Sequence, residues 1–376
     1  MRVPFNKPFF SGGEAYNMAM AAFSGQISGN GDFTKKCHDF FRNRFGFKKV
    51  LLTTSCSDAL EMSAILSEIG AGDEVIMPSF TFMSTANAFI LRGAKVVFAD
   101  TYADIPNIDP GEIEKLITPR TRVIVLVHYS GIACDMDRIM RIAEKHNLIV
   151  VEDAAHSIDS FYKGRPLGSI GHFGTFSFHE TKNIISGEGG MLTVNDDRFI
   201  SRAEIIWEKG TNRAAFHRGE VDKYGWVDVG SSFLPAEMIA AFLYAQLEAF
   251  DFIQKKRKQA WIKYFNLLKP LQEQGLISLP HIPDYASMNG NLFYFFTRSL
   301  NERNSMLDYL KAKGIHAVFH YLPLEQSVYF KDKHDGRLLP NTQRFSDCIV
   351  RLPFFVELKQ HEIDYVCKAV ISFYNR

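Results

Sequence analysis

Three groups of residues have the types and spacing to do chemistry together. The first is Asp153, which closes the apolar run LIVVE. A carboxylate at the end of a buried strand can pair with a cationic ring nitrogen or a metal ion, and it can equally cap the turn that follows. His156 stands three residues on, but no third metal ligand lies near it in sequence, so the pair is read without a metal. The second group is Lys182 in GTFSFHETKNIISGEGG (174–190). Most lysines between a strand and a loop are simply solvated. Here Ser177 precedes it and Gly187, Gly189 and Gly190 follow, and small residues let a planar ligand approach closely. A lysine held in a dry pocket has a lowered pKa and can form a Schiff base. The third group is SCSDAL (55–60), a strand-to-helix junction. Ser57 reads as the N-cap, and the N–H groups of the next turn would face an anion such as phosphate. Neither GxGxxG nor GxxxxGK[ST] occurs, so a dinucleotide or P-loop site is unsupported.

A phosphate cradle, a strand-end aspartate and a downstream lysine are the parts needed to hold pyridoxal 5′-phosphate. The helix start takes the phosphate, Asp153 keeps the pyridine nitrogen protonated, and Lys182 carries the aldehyde and shuttles the proton. Phe82, in PSFTFMST (78–85), can stack on the ring or pack into the core.

The elements that must position these groups alternate from about residue 50 to 195. Strands are expected at 49–54, 74–78, 94–100, 121–129 and 148–155, and helices at 57–70, 81–93, 109–117 and 135–147. Strands apolar on both faces, separated by helices, indicate an α/β fold with a doubly wound, mostly parallel sheet. Before it lie loop signals at 24–32 and a helix at 34–46. A long helical stretch is expected at about 235–275, then strands at 291–298 and 316–322 and helices at 302–314 and 361–374. The chain therefore divides into a large domain, 1–245, and a smaller C-terminal α+β domain, 246–376.

Composition narrows the function. The 376 residues carry 43 Lys+Arg against 42 Asp+Glu, which leaves no bulk charge to attract nucleic acid or an anionic membrane. The longest apolar runs are strands such as VIVLV (123–127), far short of a membrane helix. The start, MRVPFNKPFFSGG, has no signal-peptide core. Five cysteines without a CxxC or Cys/His cluster fit a reduced compartment, and the cytoplasm is expected.

The set SCSDAL, PSFTFMSTANA, VVEDAAHS, FSFHETKN and GEGG, with VPFNKP, SGNGDFTKKC, EKGTNR and DVGSSF, resembles the DegT/DnrJ/EryC1/StrS sugar-nucleotide aminotransferases over nearly the whole chain. The resemblance implies the fold type I architecture of enzymes dependent on pyridoxal phosphate and a homodimer with composite sites. It implies that Lys182 forms the Schiff base and Asp153 pairs with the ring nitrogen. It places His156, where many members have Gln, beside the cofactor's 3-hydroxyl, and Phe82 on the ring face. Ser57, the Asp58 backbone and Ser177 would bind the phosphate. Ser232 stands where many members send an Asn from the partner chain. Lys209 and Arg213 would meet the nucleotide diphosphate, and His320 and Tyr321 the sugar. Glu325, in HYLPLE (320–325), replaces the histidine of the family's PLH motif. The activity implied is amino transfer from L-glutamate to a nucleotide-linked keto sugar. A dTDP-4-keto-6-deoxyhexose aminated at C4 in the galacto configuration rests on the resemblance alone, and amination at C3 or in the gluco configuration is the alternative. Sugar dehydratases of the same fold replace the lysine with histidine, and a silent regulator should have lost Lys182 or Asp153.

Overall fold

The computed structural model describes residues 1–375. From the amino terminus, α1 (Glu14–Phe23) and α2 (Asp32–Phe45) lead into β1 (Lys49–Thr53), α3 (Cys56–Leu66), β2 (Glu74–Pro78), α4 (Met83–Ile90), β3 (Lys95–Ala99), α5 (Pro110–Leu116), β4 (Thr121–Val127), α6 (Met136–His146) and β5 (Ile149–Asp153). The ribbon β6 (Phe161–Tyr162) and β7 (Arg165–Pro166) precedes β8 (Phe173–Ser177) and β9 (Gly190–Val194). Then come α7 (Asp197–Trp207), α8 (Arg213–His217), α9 (Glu237–Glu248), α10 (Phe250–Glu273), β10 (Tyr294–Phe296), α11 (Leu300–Ala312), α12 (Pro340–Cys348), β11 (Ile349–Arg351) and α13 (Gln360–Tyr374).

Seven strands form the central sheet in the order β1-β9-β8-β5-β4-β2-β3. Val75, Met77, Val123, Val125 and Val151 pack into one core with α3 and α4. Their neighbours Ile76, Ile124, Leu126 and Val150 pack into another with α5 and α6. Alternate residues thus point to opposite, equally apolar layers, which is why these strands lack a polar face. All pairings from β3 to β8 are parallel, and β9 runs antiparallel to both β8 and β1. A loop, not a helix, joins β8 to β9, so the chain returns along the strand it has just left. That loop carries Lys182 and lies at the carboxyl end of β8.

The strand ends are in register there. Thr53 and Ser177 both face Gly190, and Thr175 faces Asp153. Gly190 has to be glycine: a Cβ would lie 2.3 Å from the carbonyl carbon of Ser55 and 2.4 Å from the Cys56 nitrogen. Beside Asp153, the buried Glu152 carboxylate accepts from Gly168 N (2.8 Å), Ile170 N (2.7 Å), Gly171 N (2.6 Å) and His128 Nε2 (2.9 Å). His128 Nδ1 accepts from Cys134 N, so Nε2 carries the proton. These bonds satisfy a charge that burial would otherwise penalise, and they fix the end of β5.

The smaller unit has its own core, in which Trp261, Tyr264, Phe293, Phe295, Val350 and Val370 pack together with Val3. Phe250 and Ile253, at the start of α10, still belong to the core beside β1 and α9. We propose that the division between units runs inside α10.

Three elements differ from expectation. The stretch 235–275 is two helices broken at Ala249, whose N–H closes α9 on the carbonyls of Gln246 and Leu247. The strand expected at 291–298 shortens to Tyr294–Phe296. Residues 316–322 form no strand; one bridge joins Val318 to Arg351, after which His320 and Tyr321 turn inward. Among the described residues no helix is long and apolar enough to cross a membrane.

Candidate active site

The carboxyl ends of β1, β4, β5 and β8 bring Asp153, His156, Ser57, Ser177 and Lys182 to one edge of the sheet, where ligands bind in open α/β folds. Asp153 is buried. Its Oδ2 accepts from Thr85 Oγ1 at 2.7 Å and its Oδ1 from Ala155 N at 3.1 Å. Burial raises its pKa, while Thr85, Ala155 and the positive charge of Lys182 pull it down. Lys182 pairs with no carboxylate among the described residues. Burial draws its ammonium down to about 8, opposed by Cys56 and Asp153 and assisted by the charge of Arg351. Roughly a fifth of this amine is therefore neutral near pH 7.4, against about a thousandth for an ordinary lysine.

His156 lies next to the lysine's field. Its Nδ1 accepts from the Ser130 N–H at 3.2 Å. Burial, then the charges of Lys182 and Arg351, hold its pKa well below the ordinary value, so the ring is neutral and its proton sits on Nε2. Ser130 reaches this position with φ 58, a left-handed backbone that a serine adopts at some cost. Asn289 fixes the other side by donating to His156 O at 2.7 Å and Ile158 O at 2.8 Å.

Residues 320–321 supply the opposite wall. His320 stacks on Tyr321 with ring centroids 3.7 Å apart and lies parallel to His156 at 6.3 Å. Its Nδ1 meets the Tyr129 hydroxyl at 3.0 Å. Tyr321 also packs against Phe80 and Phe82, at 5.6 and 6.3 Å. Phe82 precedes α4 and is 52% exposed, so the structure does not place it in the core.

At the β1–α3 junction the N-cap is Ser55, not Ser57. Ser55 has the extended backbone a cap requires (φ −156, ψ 167), and its Oγ accepts from Asp58 N at 3.1 Å. The close approach of Gly190 to Ser55 and Cys56 sets this register. Ser57 falls inside the first turn, where its hydroxyl donates to Ser84 Oγ at 2.8 Å and ties the starts of α3 and α4 together. The Asp58 carboxylate takes the Thr54 hydroxyl. Ser177 ends β8 half-buried.

Other expected residues stand apart. Lys209 is exposed, and Arg213 is exposed with its Nε on His217 Nε2 at 3.1 Å. Ser232 is exposed beside Phe233, whose carbonyl accepts from Thr54 N at 3.0 Å. Among the described residues no contact joins any of the three to Lys182. Glu325 is buried and accepts from the Ser79 hydroxyl at the end of β2, and Ser79 Oγ accepts in turn from Leu324 N at 2.8 Å. The carboxylate that replaces a histidine thus pins the 320–325 loop to the sheet.

Sequence reasoning missed Thr85, Ser130, Tyr129, Arg351 and Asn183. Asn183 follows the lysine and is buried; its Nδ2 donates to Gln254 Oε1 at 2.9 Å, and its Oδ1 accepts from Asn291 Nδ2 at 2.9 Å. Its place in FHETKN was the only signal.

These residues fit pyridoxal phosphate by their donor chemistry. A buried carboxylate without a salt-bridged cation suits a pyridinium nitrogen. A neutral imidazole with Nε2–H suits a phenolate oxygen, and an unpaired amine suits an aldehyde. The hydroxyls of Ser57, Ser84 and Ser177 and the N–H groups of the first turn of α3 are the donor types a phosphate would require.

The profile of the DegT/DnrJ/EryC1/StrS aminotransferase family matches residues 12–371. The spore coat polysaccharide biosynthesis protein SpsC of Bacillus subtilis (strain 168) is 32% identical over 380 residues, covering 98% of this chain and 96% of SpsC. The aminotransferase from Psychrobacter cryohalolentis superposes with a TM-score of 0.93 at 26% identity, covering 99% of each chain. Spr1654 from Streptococcus pneumoniae, a candidate sugar aminotransferase, superposes in its PMP form with a TM-score of 0.91 at 26% identity, covering 100% of this chain and 99% of that one. Its PLP form gives 0.90 at 27% identity, with the same coverage.

Proposed function

The chain belongs to the DegT/DnrJ/EryC1/StrS aminotransferase family, and from that premise we propose that it moves an amino group from L-glutamate to C4 of dTDP-4-keto-6-deoxyglucose. The product is dTDP-4-amino-4,6-dideoxygalactose, for surface polysaccharide synthesis. The enzyme is an aminotransferase whose cofactor is pyridoxal 5′-phosphate. When bound, that group supplies an electron sink for the carbon from which a proton is removed.

The observation that carries the reading is the half-buried Lys182 amine, drawn down to about 8 and set among Asp153, His156 and Arg351. Lys182 Nζ takes the proton from the donor's α-carbon and returns one at the acceptor carbon, which needs a pKa near the working pH. Asp153 keeps a cation at the ring nitrogen. His156 donates from Nε2, and Ser130 and Asn289 hold it in place. His320 and Tyr321 face the sugar. One site serves both half-reactions, so donor and acceptor take turns. SpsC, by its description a polysaccharide biosynthesis protein, and Spr1654, described as a candidate sugar aminotransferase, support a sugar acceptor.

The dehydratase reading loses support because Lys182 is present and His179 is occupied elsewhere, its Nδ1 on Thr181 Oγ1 at 2.9 Å. Incubation with dTDP-4-keto-6-deoxyglucose and L-glutamate, followed by NMR of the product, is expected to show an axial amine at C4. Nitrogen at C3, or an equatorial amine at C4, would overturn the narrower assignment.

The enzyme works in this proposal as a cytoplasmic homodimer with composite sites. Tyr16, Phe23 and Trp226 are 66%, 85% and 85% exposed, an apolar cost that a second copy would relieve. All five cysteines are free, as a reducing compartment keeps them. Sedimentation is expected to give a dimer, and Phe23→Asp with Trp226→Asp should yield monomers without turnover. An active monomer at working concentration would refute this.

A further inference from the structure

Ser79 follows β2 and is completely buried. Its hydroxyl serves three groups of one distant turn. The proton goes to the Glu325 carboxylate, and the oxygen accepts from Leu324 N at 2.8 Å and Glu325 N at 3.3 Å. A hydroxyl offers one donor and two lone pairs, so this one is fully used. Glu325 is 6% exposed, and among the described residues no cation pairs with it. Its Oε1 accepts from Gln326 Nε2 at 3.3 Å. A buried carboxylate without a counter-ion adds no stability through its charge. It can only accept, however, so it fixes the direction of the Ser79 proton and leaves both lone pairs to the N–H groups.

This bond joins two stretches that carry aromatic rings. Phe80 and Phe82 follow Ser79, and His320 and Tyr321 precede Glu325. The Tyr321 ring lies 5.6 Å from Phe80 and 6.3 Å from Phe82. Phe80 also packs on Tyr129 at 5.2 Å, and the Tyr129 hydroxyl meets His320. The spacing between the two stretches is therefore set at one polar contact, buried behind the rings.

We propose that Ser79 and Glu325 form a latch that determines acceptor specificity, with Glu325 a positioning residue that holds His320 and Tyr321 at their distance from Phe80 and Phe82. This rests on the reading of the chain as a sugar aminotransferase. A hexose presents apolar C–H faces, which need aromatic surface at a fixed spacing. An amino acid donor has no ring to be read in this way. A shift of the wall is therefore felt by the sugar and not by the donor.

The test follows the two half-reactions of the holoenzyme separately. The donor arm uses L-glutamate, read by the cofactor spectrum. The acceptor arm uses the aminated cofactor form and dTDP-4-keto-6-deoxyglucose, with KM and limiting rate measured apart. Glu325→Leu removes the carboxylate, Glu325→Asp withdraws it by one methylene, and Glu325→Gln keeps an accepting oxygen at full length. Ser79→Ala removes the hydroxyl from the other side. Glu325→Leu, Glu325→Asp and Ser79→Ala should raise the acceptor KM by about tenfold to a hundredfold, the scale of a buried hydrogen bond left unmade. The donor arm should stay within about twofold in each. Glu325→Gln should recover most of the loss. Combining Ser79→Ala with Glu325→Leu should do no more damage than the worse single change, as partners in one contact do. An acceptor KM unchanged in Glu325→Leu would overturn the proposal. Equal losses in both arms would overturn it too, as would a lowered melting temperature with the acceptor KM intact, each the mark of a purely structural contact. So would a loss in Glu325→Gln as large as in Glu325→Leu, because charge and not placement would then be at work. Should the Glu325→Leu chain fail to fold, Glu325→Asp against Glu325→Gln decides the same question. Should wild-type enzyme react with L-glutamate but leave the keto sugar nucleotide untouched, the parent reading of the acceptor fails instead.

Discussion

Lys182→Ala protein should lack the absorbance band of lysine-bound cofactor and release no keto acid from L-glutamate, while melting no lower than wild type. Turnover should fall by at least the roughly 10²–10⁴-fold that a positioned proton carrier contributes. The structure separates this loss from a folding defect. Among the described residues Lys182 forms no ion pair, and its amine is held in surroundings that disfavour its charge. The neighbouring Asn183, by contrast, bonds to Gln254 and Asn291, so the backbone at 182–183 stays anchored when the amine is gone. The pH dependence supplies a second check. Only the neutral amine attacks an aldehyde, and a pKa lowered from 10.5 to about 8 shifts that form into the working range. Cofactor capture by the cofactor-free protein should therefore rise with pH and level off above about 8. A rate still climbing toward pH 10 would show an ordinary, solvated lysine, and full activity in Lys182→Ala would remove the assignment altogether.

The elements legible in the sequence were those with strong apolar periodicity. EVIMP is β2 residue for residue, and the helix at 135–147 is α6 with one residue trimmed from each end. The places of Asp153 at the end of β5 and of Lys182 in the return from β8 to β9 were legible because a strand end and glycine-rich punctuation mark them. Less legible was anything decided by distant contacts. Ser55 and Ser57 flank one cysteine and cap equally well in isolation; the choice falls to Ser55 because Gly190, far along the chain, packs against it. The segment 316–322 has the composition of a strand, but Tyr129 and His156 draw His320 out of any ladder. Arg351 carried no signal at all, since a lone arginine in VRLPFF reads as a strand-end surface charge. Its meaning comes from Phe5 at one end of the chain and Tyr129 in the large unit. Lys209 and Arg213 show the converse. The resemblance and their two charges read as contacts for a nucleotide diphosphate, yet within one chain they stay at the surface.

Asp153→Asn should leave a folded protein whose activity is down by two to three powers of ten, about 3–4 kcal/mol of transition-state stabilisation, the scale of one preorganised electrostatic group. The change is close to isosteric. The amide oxygen can still accept from Ala155 N, and the amide nitrogen can donate to Thr85 Oγ1, which lies 2.8 Å from Thr81 Oγ1 and can turn its own proton there. What is lost is the negative charge that holds the ring nitrogen protonated. Stability should move the other way from activity. Burial raises the folded-state pKa of Asp153, so in the cofactor-free protein its ionisation costs stability as pH rises through that value. Cofactor-free Asp153→Asn should therefore melt at or above the wild-type temperature at neutral pH and below it once cofactor is added, because only the carboxylate gains a cationic partner. Thermal melts with and without pyridoxal phosphate measure both differences. A variant that unfolds in both states would make Asp153 a structural cap of the β5 turn, and a variant with undiminished turnover would separate it from the chemistry.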